Sequence, residues 1–209
     1  LLTPLYIQAT LMAGLALLVA VALPASPVQP VGNTGKRPLR FFDRRYGAYI
    51  TIGITLFSML GMVQQTLGFY FQDVLALTAV EAAQQFSLAM VVSAAATLMA
   101  QFGIVQRYKG PAIGLLLIGV PLTFFGYLCL ALASQQWMLI CGMALFGMGM
   151  GLTGPGYTAA SGGLGFVIGP LLGGWLYGFA PQLPYVVAAI GLWPIFIFIL
   201  IIRYRLVKK

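Results

Sequence analysis

The side chains able to do chemistry in this chain are few, mostly neutral and set in apolar surroundings. Gln64, Gln65 and Thr66 interrupt one apolar run, and Ser93, Thr97 and Gln101 interrupt the next. A later run carries Met148, Met150 and Thr153 before Tyr157. Amides and hydroxyls donate and accept hydrogen bonds, and methionine offers an adaptable apolar surface. Together they could line a cavity for a small, lipophilic or weakly polar molecule. Gln64 and Gln65 lie about 100° apart on a helix, so one is expected to face the cavity and the other a helix neighbour. The candidate cavity residues are therefore Gln64, Gln65, Ser93, Thr97, Met148, Thr153 and Tyr157.

What these residues exclude is equally definite. There is no His, and only three carboxylates, Asp43, Asp73 and Glu81, none near another catalytic group. No nucleophile stands beside a base, so an enzyme is not expected. No metal site or cofactor is expected either. Cys129 and Cys141 lie near the ends of two runs joined by Ser134–Gln136, where either a disulfide or two buried thiols would fit.

The elements that position these residues are long apolar runs. They extend over Leu5–Leu23, Gly47–Phe71, Ala82–Val105, Pro111–Ala133, Trp137–Tyr157, Gly162–Phe179 and Pro184–Ile202. Each is roughly 18–25 residues, enough for a helix to cross a bilayer. The chain is 61% hydrophobic and 7% charged, against roughly 25% charged in soluble domains. The expected fold class is an all-α membrane protein, a polytopic bundle of transmembrane helices in contact with lipid. A β-barrel is disfavoured because the runs are apolar all round rather than alternating.

If successive connections alternate sides, Lys36, Arg37, Arg40, Arg44 and Arg45 share a side with Arg107 and Lys109 and with Arg203, Arg205, Lys208 and Lys209. The opposite connections carry no basic residue. The positive-inside rule makes the basic side cytoplasmic, with the C-terminus there. The net charge of +8 is thus explained by topology and anionic headgroups rather than by nucleic acid. No charge lies near the middle of any run, so a proton-coupling group is expected elsewhere, with Asp73 as the weaker alternative.

Two glycine-rich stretches stand out. Gly165, Gly169 and Gly173 recur every four residues beside Pro170 and Gly174, a bare stripe that could admit a neighbouring backbone or permit bending. Gly147 to Gly151 runs on into Gly154, Pro155 and Gly156, a stretch that suits either a hinge or tight packing. Pro24 to Tyr46 is the one long connection, rich in Pro and Gly and then in basic residues.

This pattern of six spans after a long basic loop resembles the major facilitator superfamily. Gly165–Gly174 fits the GxxxGPxxGG pattern of its drug:proton antiporters, although here it falls in the repeat-related helix. Gln106-Arg107-Tyr108-Lys109-Gly110 resembles a degenerate copy of the family's cytoplasmic loop motif, with Gln106 in place of the acid. Arg107 and Lys109 would then pin helix ends or simply anchor topology. The resemblance implies that residues 1–23 end an N-terminal bundle, 24–46 form a cytoplasmic linker, and 47–209 form the C-terminal six-helix bundle. It implies secondary transport by alternating access, as proton-coupled efflux of a small molecule across a bacterial inner membrane. The alternatives are a nutrient or organic-solute symporter of the same fold, or a transporter-like protein of membrane assembly or lipid handling.

One junction looks too short. Between Trp137 and Phe179 there is room for two spans but little for a turn, and the boundary at Ala160–Ser161 lacks basic residues. About 15–25 residues are expected to be missing at that link.

Overall fold

The computed structural model describes residues 3–22, 47–154 and 159–207. Two compact units emerge, Leu1–Arg40 and Phe41–Lys209. The first contains one helix, α1 (Thr3–Ala22). The second contains α2 (Gly47–Leu75), α3 (Ala79–Gly103), α4 (Ala112–Ala131), α5 (Gln136–Thr153), α6 (Ala159–Tyr177) and α7 (Leu183–Val207), with a short 3-10 turn at Val105–Arg107. Each expected apolar run thus corresponds to a helix, and no strand occurs among the described residues.

Five helical stretches are long and apolar enough to cross a membrane: Ile50–Leu75, Ala79–Arg107, Ala112–Ala131, Gln136–Thr153 and Leu183–Tyr204. The described apolar stretches in α1 and α6, Tyr6–Leu18 and Gly163–Tyr177, are shorter. Helices dominate because hydrocarbon leaves backbone groups no partner except their own segment. The protein is an all-α integral membrane bundle.

Local chemistry sets the helix ends. α2 stops where Leu77 N–H reaches back to the Gln72 carbonyl at 3.2 Å. Ala76, between them, adopts φ 51°. A left-handed residue at this position closes a helix, usually as glycine because a Cβ is disfavoured there. α3 then starts with a capping box. Glu81 N–H donates to Thr78 Oγ1, and Thr78 N–H donates to Glu81 Oε2 at 2.9 Å. A short, firmly capped turn therefore folds α3 back beside α2.

Contacts along the helices establish their directions. Gly165 and Gly173 of α6 meet Phe57 and Met62 of α2 in ascending order, so these helices run parallel. Gly147 and Gly151 of α5 meet Ser93 and Thr97 of α3, also parallel. Gly119 and Gly126 of α4 meet α5 in descending order, at Gly149 and Phe146, so α4 and α5 are antiparallel. Asp73 and Glu81 mark one end of the bundle; Arg107, Lys109 and Arg203 mark the other.

The core is continuous between α2, α4, α5 and α7, with Leu56, Leu67, Tyr70, Phe71, Leu130, Leu139 and Tyr185 fully buried. Near the acidic end, hydroxyls join helices directly. Tyr70 donates to the Leu130 carbonyl at 2.8 Å, Thr66 and Tyr185 share a bond of 3.0 Å, and Tyr177 donates to Asp73 at 2.6 Å. Cys129 and Cys141 are both free thiols, the first half-buried and the second exposed.

α6 runs helically through Ala160 and Ser161, so the turn does not fall at that link. Residues 155–158, which precede α6, lie outside the described residues.

Candidate substrate chamber

A cavity of about 480 Å³ opens between α2, α3 and α5. That volume lies in the range of small-molecule sites. α2 contributes Leu60, Val63 and Gln64; α3 contributes Met90, Ser93, Ala94, Thr97, Leu98 and Gln101. α5 contributes Met143, Phe146 and Met150, and Gly154 lies at its end. The α3 set recurs at intervals of three and four residues, the repeat of a single helix face.

Helical phase explains how α5 is divided. At about 100° per residue, Met143, Phe146 and Met150 share one face, and that face lines the chamber. Gly147 and Gly151 fall to one side of it, against α3. A Cβ on Gly147 would sit 2.2 Å from the Ser93 carbonyl oxygen, and one on Gly151 2.8 Å from that of Thr97. Gly149 and Thr153 fall to the other side, against α4. A Cβ on Gly149 would meet Thr123 Oγ1 at 2.2 Å. The glycines therefore let both neighbours approach at backbone distance while bulky side chains face the cavity.

One hydrogen bond fastens the α3–α5 seam. Thr97 Oγ1 lies 2.9 Å from both the Ser93 and Gly147 carbonyl oxygens, so its single proton is shared between its own helix and α5. Gln64 and Gln101 bring amides to the wall, and none of the lining residues is charged. The chamber can solvate weakly polar groups on an apolar molecule, whereas a multiply charged one would find no counter-ion.

Gln64, Ser93 and Thr97 lie on the chamber wall. Gln65, one position on from Gln64, is exposed and off that wall. Met148 is half-buried on the back of α5, far round the helix from Met150. Thr153 is fully buried, with its hydroxyl on the Met150 carbonyl at 3.1 Å and its methyl group toward Gly119. Thus Gln65, Met148 and Thr153 do not line the cavity; helix phase turns each of them elsewhere. Tyr157, Pro155 and Gly156 lie outside the described residues.

The α6 motif works away from the wall. A Cβ on Gly169 would lie 2.2 Å from the Ser58 carbonyl oxygen, and one on Gly165 2.4 Å from Phe57 Cβ. Gly173 meets Met62 in the same way, and Pro170 packs over Gly61. Gly174 has open space instead. No described α6 residue lines the chamber. Arg107 and Lys109 are exposed at the basic end, where neither makes an ion pair with a described residue.

Gln101, one of the polar residues that interrupt the α3 run, also lies on the wall, and Met90, Met143 and Phe146 join it there although sequence alone does not single them out. The recurrence of Met143, Phe146 and Met150 on one helical face was the available signal.

No curated protein matches the chain. A family model described as Major Facilitator Superfamily matches residues 2–161, from α1 into the start of α6. With a bundle of apolar helices around a neutral chamber, that match over most of the chain makes this protein a member of the Major Facilitator Superfamily, a family of membrane transporters.

Proposed function

We propose that the protein exports a small, lipophilic or weakly polar molecule by proton-coupled alternating access, with the α2–α3–α5 chamber as part of its binding site. The observation that carries this reading is the wall itself: methionines, Phe146 and aliphatic side chains, with amides and hydroxyls but no charge. Such a wall favours molecules that partition readily into apolar surroundings and need only a few hydrogen bonds.

A second six-helix bundle, N-terminal to this one, completes the path in this proposal and carries the titrating group. The neutrality of the chamber supports that assignment, because proton coupling needs an ionisable side chain reached from both sides. The basic end, with Arg107, Lys109 and Arg203, faces the cytoplasm of a bacterial inner membrane, and the C-terminus lies on that side.

The test is transport in proteoliposomes with a panel of neutral lipophilic compounds, with and without an imposed pH gradient. Gradient-driven movement opposite to the proton flux supports the proposal. Movement in the same direction as protons would replace it with symport, and no movement of any compound would remove solute transport of this class.

A further inference from the structure

We infer that Ser93 is the substrate-orienting hydrogen-bond donor of the chamber, and that the molecule it takes is neutral and apolar with an acceptor oxygen, such as a carbonyl. This deepens the proposed function and rests on its assignment of the chamber as a binding site.

The inference begins with how hydroxyls inside helices spend their protons. Serine and threonine usually donate to the carbonyl one turn earlier. Thr51, Thr55, Ser58, Thr66, Ser87 and Thr123 each do so, to the residue four positions back. Thr97 has the same bond and shares its proton with Gly147. Among the serines and threonines whose side chains are described, only Ser93 has no hydrogen bond from its hydroxyl. Ser93 is 9% exposed and lines the chamber where α3 meets α5, with its Oγ beside Gly147.

An unspent donor in such a place needs a partner. Donors without acceptors are rarer in protein interiors than acceptors with spare lone pairs, because an unmet donor forfeits the hydrogen bond it makes to water. Before substrate arrives, water can serve. A substrate oxygen that reproduces the water's hydrogen bond displaces it without loss, whereas a methylene in the same place cannot. The neighbouring groups define the rest of the molecule. Met90, Met143, Met150 and Phe146 offer a polarizable bed for apolar rings, and the absence of a lining carboxylate removes any anchor for a cation.

Benzophenone, two apolar rings on a carbonyl, is a direct probe because light links it covalently to the residues around it. Diphenylmethane replaces the carbonyl with a methylene and serves as competitor. Photolabelling of the purified protein is read by peptide mass spectrometry for wild type, Ser93→Ala and Ser87→Ala. Ser87 is the control, since its hydroxyl already donates to Ala83 and it lies off the wall. We expect label on the chamber segments of α3 and α5, with a half-labelling concentration raised about three- to tenfold by Ser93→Ala, the value of one neutral hydrogen bond. Ser87→Ala is expected to leave it unchanged, and diphenylmethane to compete equally well in wild type and Ser93→Ala. If Ser93→Ala shifts neither probe, or shifts both equally, the donor role is overturned while the chamber stands. If wild type takes no label in the chamber, the binding-site assignment falls with it.

Discussion

In α5 the glycines meet two neighbours; in α6 they meet one. Gly147 and Gly151 lie on α3 while Gly149 lies on α4, so α5 is clamped on both sides of its chamber face. The α6 stripe of Gly165, Gly169 and Gly173 rests only on α2, and Gly174 is open. From composition alone the stretch from Gly147 to Gly156, in which α5 ends, is the better candidate for a hinge, with five glycines in ten residues against four from Gly165 to Gly174. Its packing argues otherwise. A glycine-rich helix bends easily only where its bare face is uncovered, and the described glycines of α5 are covered. Mobility in this bundle is therefore expected to lie between packed units, with α2 and α6 moving as one.

The largest effect that could break this comparison is expected at Gly169. A leucine there would drive its side chain into the Ser58 backbone, and backbone cannot move aside as a flexible side chain can. Gly169→Leu is expected to destabilise by about 3 kcal/mol or to prevent folding, read as loss of the monodisperse peak and of melting temperature in detergent. The same substitution at Gly174 should leave both nearly unchanged. Equal damage at the two positions would mean that α6 packs on another face.

Gly149→Ala comes next. Its single added carbon meets Thr123 Oγ1 and backbone of α4, and a loss of about 2 kcal/mol is expected from thermal unfolding. A neutral result would show that α5 and α4 can separate without cost, restoring α5 as a hinge.

Thr97→Val probes the seam without changing its shape much. It removes the bond to Gly147 and should cost about 0.6–1 kcal/mol, in line with interhelical hydrogen bonds in membranes. The smallest expected effect has the opposite sign. Gly174→Ala should stabilise α6 by up to about 0.5–1 kcal/mol, since the added methyl group meets nothing and glycine is entropically costly in a helix.

Much of the fold is legible in the sequence, because a bilayer imposes length and apolarity on every span. The helix positions follow from that constraint, as does the placement of Asp73 and Glu81 opposite Arg107 and Lys109. The chamber is legible only in part. Gln64, Ser93 and Thr97 reach it because polar groups in spans avoid lipid. That rule does not say which neighbour they meet instead, and Thr153 satisfies it against its own backbone beside α4. Side-chain type alone groups Met148 with the cavity, yet phase puts Met143 and Met150 there and Met148 behind. In a helix apolar on every side, hydrophobic periodicity carries no phase, so direction has to come from the neighbours.

The central claim is that the α2–α3–α5 chamber is a water-accessible substrate path rather than a lipid-filled gap. Cysteine scanning tests it most directly, in a background with Cys129 and Cys141 replaced by alanine. Ala94→Cys, on the chamber wall, and Ile118→Cys, exposed on α4 away from it, should be treated with a membrane-impermeant thiol reagent in proteoliposomes. The account predicts rapid modification of the Ala94→Cys protein and none of the Ile118→Cys protein. An unreactive Ala94→Cys beside a reactive Ile118→Cys would place lipid in the chamber and water on α4, and would contradict it.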